Sequence, residues 1–160
     1  EDFLPHILNG ENVGLLSEAG LPCIADPGSK IVLYAHDFQI EVVPLVGPSS
    51  ILLALMSSGM SGQNFAFTGY LPIDKVERNK VIRNLENLSK KTGQTQIFME
   101  TPYRNNQLLD TLKTQCNNKT RLCIAANITS KNEFIQTKTI EEWKQTKLDI
   151  HKQPSIFLLS

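Results

Sequence analysis

The sequence has little cysteine, and no two of its cysteines have the CxxC spacing of a zinc or redox motif. Its three histidines are also far apart, so no cluster of metal ligands is present in the sequence. The cysteines are Cys23, Cys116 and Cys123, an odd number that is too sparse for a disulfide framework. This usage predicts a reduced, cytoplasmic protein that needs no metal ion.

The sequence also lacks a long apolar run and an excess of either charge. Its longest strongly apolar run, at 51–56, is far shorter than the roughly 20 residues that a membrane-spanning helix needs, and no signal-peptide pattern opens it. Lysine plus arginine and aspartate plus glutamate are balanced at 16 each. We therefore predict no membrane segment. The total charge does not indicate a nucleic-acid partner, although a local basic surface is compatible with it.

Strand and helix patterns alternate over the first part of the chain. The predicted elements are a helix ending at Asn9, strands at 11–17, 39–44 and 65–68, and helices at 26–36 and 51–58. Asp26–Pro27 is the expected start of the second helix, with a capping acid before a proline. The strand at 11–17 is expected to be buried on both faces. Such alternation predicts a parallel sheet with right-handed crossovers, in which ligands lie at the carboxyl ends of strands.

The pattern changes near Gly69–Asp74, where we place a domain boundary that separates residues 1–70 from residues 71–160. In the second domain the predicted elements are helices at 77–91 and 103–115, a short helix opened by a capping box at Thr139–Glu142, and strands at 94–100, 121–126, 133–137 and 155–159. The predicted fold class is α/β, with a parallel-sheet N-terminal domain followed by a mixed-sheet C-terminal domain.

Two strand-to-helix loops of the first domain carry residue types that suit ligand binding. In the loop that begins at Ser17, the small residues Ala19 and Gly20 allow a ligand to approach the main chain closely. In Gly47–Ser50, hydroxyl and N–H groups precede a predicted helix. Both loops are equally compatible with ordinary helix capping. Neither has a GxGxxG or P-loop pattern, so phosphate binding is not indicated.

Charged residues follow a predicted strand of the second domain at Glu100 and Arg104. A charged pair just past a strand end suits substrate contact, and it equally suits a helix cap with a surface ion pair. The helix at 77–91 carries a basic face, which is compatible with simple solvation or with an RNA-binding surface. The residues of that face are Arg78, Lys80, Arg83, Lys90 and Lys91.

Four segments, taken in order and spacing, resemble the tetrapyrrole methylase superfamily. They read GLLSEAGLPCIADPGSKIV, VVPLVGPSSILLALMSSG, FAFTGYLP and QIFMETPYRNNQLLDTL. The most similar branch contains the small-subunit ribosomal RNA cytidine 2′-O-ribose methyltransferase. The resemblance implies methylation with S-adenosylmethionine by two α/β domains, with the cofactor folded in the cleft between them. It also implies a homodimer.

The resemblance further implies which residues bind the cofactor and the substrate. Glu100 and Arg104 match the acid and base that follow the corresponding strand in the RNA-modifying branch, and they are the candidate catalytic residues. The candidate cofactor contacts are Ser17, Glu18, Ala19, Gly20, Ser49, Ser50, Phe98, Met99, Ala126 and Asn127.

The sequence departs from the family pattern in two places. The family's first strand, with its glycine- and proline-rich loop, has no counterpart, so the sequence is expected to begin inside the first domain. Glu18 stands where the RNA-modifying branch usually has aspartate. Three classes of function stay open. They are ribose methylation of ribosomal RNA or the small ribosomal subunit, methylation of a tetrapyrrole-like small molecule, and a non-catalytic binding module of the same fold.

Overall fold

The computed structural model describes residues 3–160, which form two compact units. The first unit ends at Ser49 and contains helices α1 (Leu4–Leu8) and α2 (Ser29–Asp37). The second unit, Ser50–Ser160, contains α3 (Ser50–Ser58), β1 (Phe65–Tyr70), α4 (Lys75–Thr92), β2 (Thr95–Met99), a 3₁₀ helix (Pro102–Arg104), α5 (Asn105–Gln115), β3 (Arg121–Ala126), β4 (Phe134–Thr139), α6 (Ile140–Gln145) and β5 (Ser155–Leu159).

The division between the units falls after Ser49, upstream of the predicted domain boundary. Helix α3 belongs to the second unit because it packs on β3, β4 and β5, and β1 belongs there because it pairs with β2. A family-domain boundary between residues 70 and 71 stays a prediction.

The strands predicted at 11–17 and 39–44 are not formed, since the described residues of the first unit include no strand. Their apolar side chains are not buried either, because Leu16 is 90% exposed and Val43 is 65% exposed. A strand exists only where a neighbouring segment pairs with its N–H and C=O groups. Neither segment has such a neighbour within the described first unit, so the predicted parallel sheet is absent there.

Helix α2 begins at Ser29 rather than at the predicted Asp26–Pro27. Its N-cap is Gly28, whose φ of 131° is open to glycine and strained for other residues. A Cβ atom on Gly28 would also lie only 2.8 Å from a methyl carbon of Leu15. Asp26–Pro27 therefore belongs to the turn before the helix, and the backbone geometry of Gly28 decides where the helix starts.

The second unit is built on one five-stranded mixed sheet in the order β1-β2-β5-β3-β4. Strands β1 and β2 are parallel and are connected through α4, whereas the other three neighbouring pairs are antiparallel. The strands predicted at 121–126 and 155–159 have the observed limits. Their residues are buried on both faces, apart from Arg121 at the start of β3. The mixed sheet expected in the C-terminal part of the chain is confirmed.

Helices cover both faces of this sheet. Helices α4, α5 and α6 pack on one face, and α3 packs on the other. Side chains of β3 alternate between these two cores, with Leu122, Ile124 and Ala126 on the three-helix side and Cys123 and Ala125 on the α3 side. Because both faces are covered, the loops at the strand ends are the parts of this unit that are open to a ligand.

Capping residues set the ends of α4 and α6. The Asp74 carboxylate accepts N–H bonds from the first turn of α4, and Gly93 ends that helix with a φ of 69°. The capping box predicted for α6 is confirmed. The Thr139 hydroxyl accepts the Glu142 N–H, and the Glu142 carboxylate accepts the Thr139 N–H.

The three cysteines differ in their accessibility. Cys23 is half-buried, whereas Cys116 and Cys123 are buried. Burial raises the pKa of the Cys116 thiol to about 12 and also raises the pKa of Cys123. We expect iodoacetamide at pH 8 to alkylate Cys23 in the folded protein and the other two only after unfolding, because thiolates are the reactive species. Peptide mass spectrometry of folded and guanidinium-unfolded samples measures this, and equal labelling of all three thiols in the folded protein would contradict it.

Between residues 3 and 160, no helix combines the length and the apolar composition that crossing a membrane requires. Over the same range, no three histidine, cysteine, aspartate or glutamate side chains are grouped so that they could hold a metal ion. That the protein needs no metal stays a prediction.

Candidate active site at the sheet edge

Strands β2 and β3 end at the same edge of the sheet, on either side of the first residues of β5. Met99 of β2 pairs with Ile156, and Ala126 of β3 pairs with Ser155. Since adjacent strands lie about 5 Å apart, Met99 and Ala126 lie roughly 10 Å apart across β5. The fold therefore brings together four predicted cofactor contacts, which are Phe98, Met99, Ala126 and Asn127.

The side chains of these four residues are not equally accessible. Phe98 and Ala126 are fully buried in the three-helix core, where the Phe98 ring stacks on Phe157 at a centroid distance of 6.1 Å. Met99 and Asn127 are half-buried. Met99 and Asn127 are thus the side chains of this set that a ligand can reach, and the other two shape the adjoining core.

Glu100 and Arg104 form an ion pair directly after β2. Glu100 Oε1 lies 2.7 Å from Arg104 Nη2, and it also accepts the Thr101 N–H at 2.7 Å. The 3₁₀ helix at Pro102–Arg104 turns the chain so that Arg104 meets Glu100 before α5 begins. The Glu100 side chain has no exposed surface, and that of Arg104 is 30% exposed. The alternative of a solvated surface ion pair is therefore wrong for Glu100.

Several polar atoms near this pair lack a partner. Among the described residues, six buried side-chain nitrogen or oxygen atoms make no hydrogen bond, and three of these are Glu100 Oε2, Arg104 Nε and Asn105 Oδ1. Buried polar groups are nearly always hydrogen-bonded, because leaving one unpaired costs about 1–3 kcal/mol. The concentration of such atoms over residues 100–105 marks a place where a buried water molecule or a ligand atom would complete the hydrogen bonding.

Gln153, in the loop between α6 and β5, links the end of β3 to the start of α5. Its Oε1 accepts the Asn127 side-chain N–H at 2.9 Å, and its main-chain carbonyl accepts the Asn105 side-chain N–H at 2.6 Å. Asn127 itself has a φ of 51°, in the left-handed region that asparagine tolerates. Sequence reasoning did not identify Gln153. It lies 26 residues from Asn127 and 48 from Asn105, so no local pattern connects them.

The first unit brings a second group of candidate residues together. Ser17 and Glu18 line an open depression of about 330 Å³, which Asp26 at the other end of the same loop also lines. A Cβ atom on Gly20 would lie 4.0 Å from the Pro48 carbonyl oxygen, so the two predicted ligand loops are neighbours in this unit. Ala19 and Gly20 are exposed and do not line the depression.

The glycines of these loops have different roles. A Cβ on Gly47 would lie 2.9 Å from a Leu21 methyl carbon, so a side chain at that position would require the leucine to move. Gly20 has open space around it and a φ of 77°. It is therefore the glycine of this group beside which a ligand has room to approach the main chain.

The two predicted serine contacts fall on either side of the division between the units. Ser49 is buried at 8% exposure, and Ser50 is the exposed first residue of α3. A bulky substitution at Ser49 would therefore disturb packing, whereas Ser50 has its hydroxyl at a helix start.

The basic face predicted on α4 is not continuous. Arg78 is buried, because the helical period places it on the same side as Ile82 and Leu85. Arg83 donates to Gln115 of α5 through two nitrogen atoms, at 3.2 and 2.8 Å. Lys90 pairs with Glu86 at 3.1 Å. The interpretation of Arg78 as a phosphate contact is therefore wrong. Of the lysines predicted for this face, Lys80 and Lys91 are exposed and make no such bond to the described residues.

The family model for Tetrapyrrole (Corrin/Porphyrin) Methylases matches residues 4–144. The chain belongs to the tetrapyrrole methylase family. The match covers the depression of the first unit and, in the second unit, the ends of β2 and β3. The sequence-based assignment to this family is confirmed.

The chain is similar to curated bacterial proteins named Ribosomal RNA small subunit methyltransferase I. It is 37% identical to the Bacillus subtilis protein over 134 residues, which are 84% of this chain and 44% of that one. It is 32% identical to the Halalkalibacterium halodurans protein over 140 residues, which are 88% of this chain and 47% of that one. The chain thus spans about half the length of the curated relatives it matches.

Solved structures of methyltransferases share the fold. The methyltransferase CobJ aligns with a TM-score of 0.62 at 17% identity, over 98% of this chain and 67% of that one. Uroporphyrin-III C-methyltransferase from Thermus thermophilus aligns with a TM-score of 0.50 at 14% identity, over 88% of this chain and 62% of that one. These likenesses confirm the two-domain α/β fold class.

Proposed function

We propose that this tetrapyrrole methylase transfers a methyl group from S-adenosylmethionine to a ribose 2′-oxygen of small-subunit ribosomal RNA. The names of the curated relatives support the class of substrate. The observation that carries the chemical part is the buried Glu100–Arg104 pair at the end of β2, with Glu100 Oε2 left without a partner. The carboxyl ends of strands are where α/β proteins bind their ligands.

Bound S-adenosylmethionine supplies an electrophilic methyl group on a positively charged sulfonium. The open main chain at Gly20 supports a cofactor contact there, and the carboxylates of Glu18 and Asp26 at one depression suit a cationic ligand. The Thermus thermophilus neighbour, described as complexed with S-adenyl homocysteine, adds support. The residues proposed to contact the cofactor are Ser17, Glu18, Ala19, Gly20 and Ser49 of the first unit, and Ser50, Phe98, Met99, Ala126 and Asn127 of the second. Because the side chains of Phe98 and Ala126 are buried, their proposed contacts are through the main chain.

Glu100 and Arg104 are proposed to act on the acceptor. Methylation forms an oxygen–carbon bond, breaks the sulfur–carbon bond and releases the hydroxyl proton. Glu100 Oε2 is the proposed acceptor of that proton once substrate binding opens access to this buried atom, since Oε1 is already held by Arg104 and the Thr101 N–H. Arg104 keeps the carboxylate oriented toward the substrate hydroxyl, so its role is positioning.

Cofactor binding is tested by calorimetric titration of the protein with S-adenosylhomocysteine. We expect saturable binding that the Ala19→Trp variant weakens by at least about tenfold, because the indole fills the space beside the exposed loop. His36→Trp, which adds the same ring at an exposed position of α2, is expected to bind like wild type. Absence of binding by the wild-type protein, or equal binding by both variants and wild type, would contradict this assignment.

The substrate is tested with tritiated S-adenosylmethionine and deproteinised small-subunit ribosomal RNA, with large-subunit RNA as the matched control. Methylation of a 2′-oxygen blocks alkaline cleavage of the adjacent bond. Label is therefore expected in an alkali-resistant dinucleotide from the small-subunit RNA alone. Label in mononucleotides released by alkali would show that the methyl group is not on a ribose 2′-oxygen, and it would contradict this assignment. Label transferred to a porphyrinogen but not to RNA would instead identify the small-molecule class.

We further propose that the protein is a cytoplasmic homodimer. A ribosomal RNA substrate supports a location where ribosomes are assembled. Exposed apolar side chains near the start of α4 support a self-contact, since Tyr70, Ile73 and Val76 are 58%, 71% and 76% exposed. Light scattering of the purified protein measures the molecular mass, and a monomer at all concentrations would contradict the dimer.

A further inference from the structure

Tyr103 is an exposed aromatic residue in the turn that carries the proposed catalytic pair. It lies in the 3₁₀ helix between Glu100 and Arg104, and 69% of it is accessible to solvent. The ring of Tyr103 is therefore open to solvent, one residue before Arg104 in the chain.

Two further side chains lie against the Tyr103 ring from the loop before β5. The Lys152 ammonium is 5.8 Å from the ring centroid, and the His151 ring meets it edge-on at a centroid distance of 6.0 Å. Both residues are exposed. An aromatic face beside a cation is the combination with which proteins bind single-stranded nucleic acid, since the ring stacks on a base and the cation attracts the phosphate.

Hydrogen bonds hold this group in place. The Lys152 N–H donates to the Pro102 carbonyl at 3.0 Å, and the Ile150 N–H donates to the Asn106 side chain at 2.9 Å. Lys152 also has a φ of 60°, an uncommon conformation for a lysine. The surrounding bonds keep it there, so the lysine stands beside Tyr103 on a fixed loop.

We propose that Tyr103 stacks on a base of the RNA substrate, that Lys152 binds an adjoining phosphate, and that the two hold the acceptor nucleotide beside Glu100. This inference rests on the proposed function and adds the substrate contact that it lacks. Recognition by stacking requires an unpaired base, so the site takes a single-stranded segment or a flipped nucleotide and not the interior of a duplex.

The test is a pair of binding measurements by fluorescence anisotropy. One probe is a fluorescein-labelled single-stranded hexamer of cytidylate, and the other is the same ribose–phosphate chain without bases. Tyr103→Ala is expected to bind the cytidylate probe about tenfold more weakly than wild type, the effect of one lost stacking contact. The same variant is expected to bind the abasic probe like wild type, whereas Tyr103→Trp retains binding of both.

Two controls separate stacking from other causes. Tyr34→Ala removes a half-exposed tyrosine from α2 and is expected to leave the affinities for the cytidylate and abasic probes unchanged. Lys152→Asn is chosen because asparagine tolerates a positive φ. It is expected to weaken the binding of both probes and to reduce the slope of log affinity against log salt concentration by about one. Equal cytidylate binding by wild type and Tyr103→Ala overturns the stacking role and leaves the proposed function standing. Failure of wild type to bind the cytidylate probe also overturns the stacking role, and the methylation assay with small-subunit RNA then decides the proposed function independently.

Discussion

The Glu100→Gln protein is expected to methylate small-subunit ribosomal RNA about 100-fold more slowly than wild type, the low end of the range for removing a general base. The amide is nearly isosteric, so the bond from the Thr101 N–H to Oε1 is retained. The atom in place of Oε2 becomes a donor and no longer accepts the hydroxyl proton. The loss is expected in kcat, with the affinity for S-adenosylhomocysteine unchanged, and single-turnover kinetics with titration calorimetry measures both.

Glu142→Gln is the matched control for this prediction. Glu142 is an exposed carboxylate that also accepts a main-chain N–H, in the capping box of α6, where glutamine serves as well. It is expected to leave the rate unchanged. An undiminished rate in Glu100→Gln would show that proton loss needs no assistance from this carboxylate.

The Arg104→Ala protein is expected to lose about 3 kcal/mol of unfolding free energy, the low end of the range for leaving one partner of a buried ion pair alone. The Glu100 side chain has no exposed surface, so its charge is left in a low-dielectric environment without its counter-charge. The value is placed at the low end because the Arg104 side chain is itself 30% exposed, which lets water approach the vacated position. Guanidinium titration followed by circular dichroism measures the loss.

Arg83→Ala and a double substitution complete this experiment. Arg83 is exposed and bonds to the neutral amide of Gln115, so its removal is expected to cost less than about 1 kcal/mol. The double variant with Glu100→Gln and Arg104→Gln is expected to be more stable than Arg104→Ala, because no unpaired charge stays buried. If Arg104→Ala cost no more than Arg83→Ala, Glu100 would not be a buried charge in the folded protein.

The helices and strands of the second unit could be predicted well because each contains its own sequence pattern, such as an apolar run or a capping residue. Strands β3 and β5 are short apolar runs bounded by turns, and they became strands that are buried on both faces. The start of α6 followed from its capping box, since that hydrogen bonding lies within four consecutive residues. The actual start of α4, at Lys75 with Asp74 as its N-cap, was two residues earlier than the periodicity had indicated.

In the first unit, local sequence patterns are insufficient to predict the strands. The segments at 11–17 and 39–44 have apolar residues that suit buried strands, but a strand also needs a partner for its main chain. Their apolar side chains are exposed in the described unit, and no ladder forms. The N-cap is Gly28, with a positive φ, so the capping pattern of Asp26–Pro27 predicted a start that is too early.

Sequence by itself determined the family and the strand ends near Met99, Glu100 and Asn127, since these depend on local patterns and on motif order. Tertiary structure alone decided that Glu100 is buried with one unpaired oxygen, that Arg78 points inward, and that the loop before β5 reaches the site. The residues of this loop that matter are His151, Lys152 and Gln153. Local patterns could not predict these features, because burial and hydrogen bonding join segments that are 26 to 48 residues apart in sequence. These segments come together only when the whole sheet has formed.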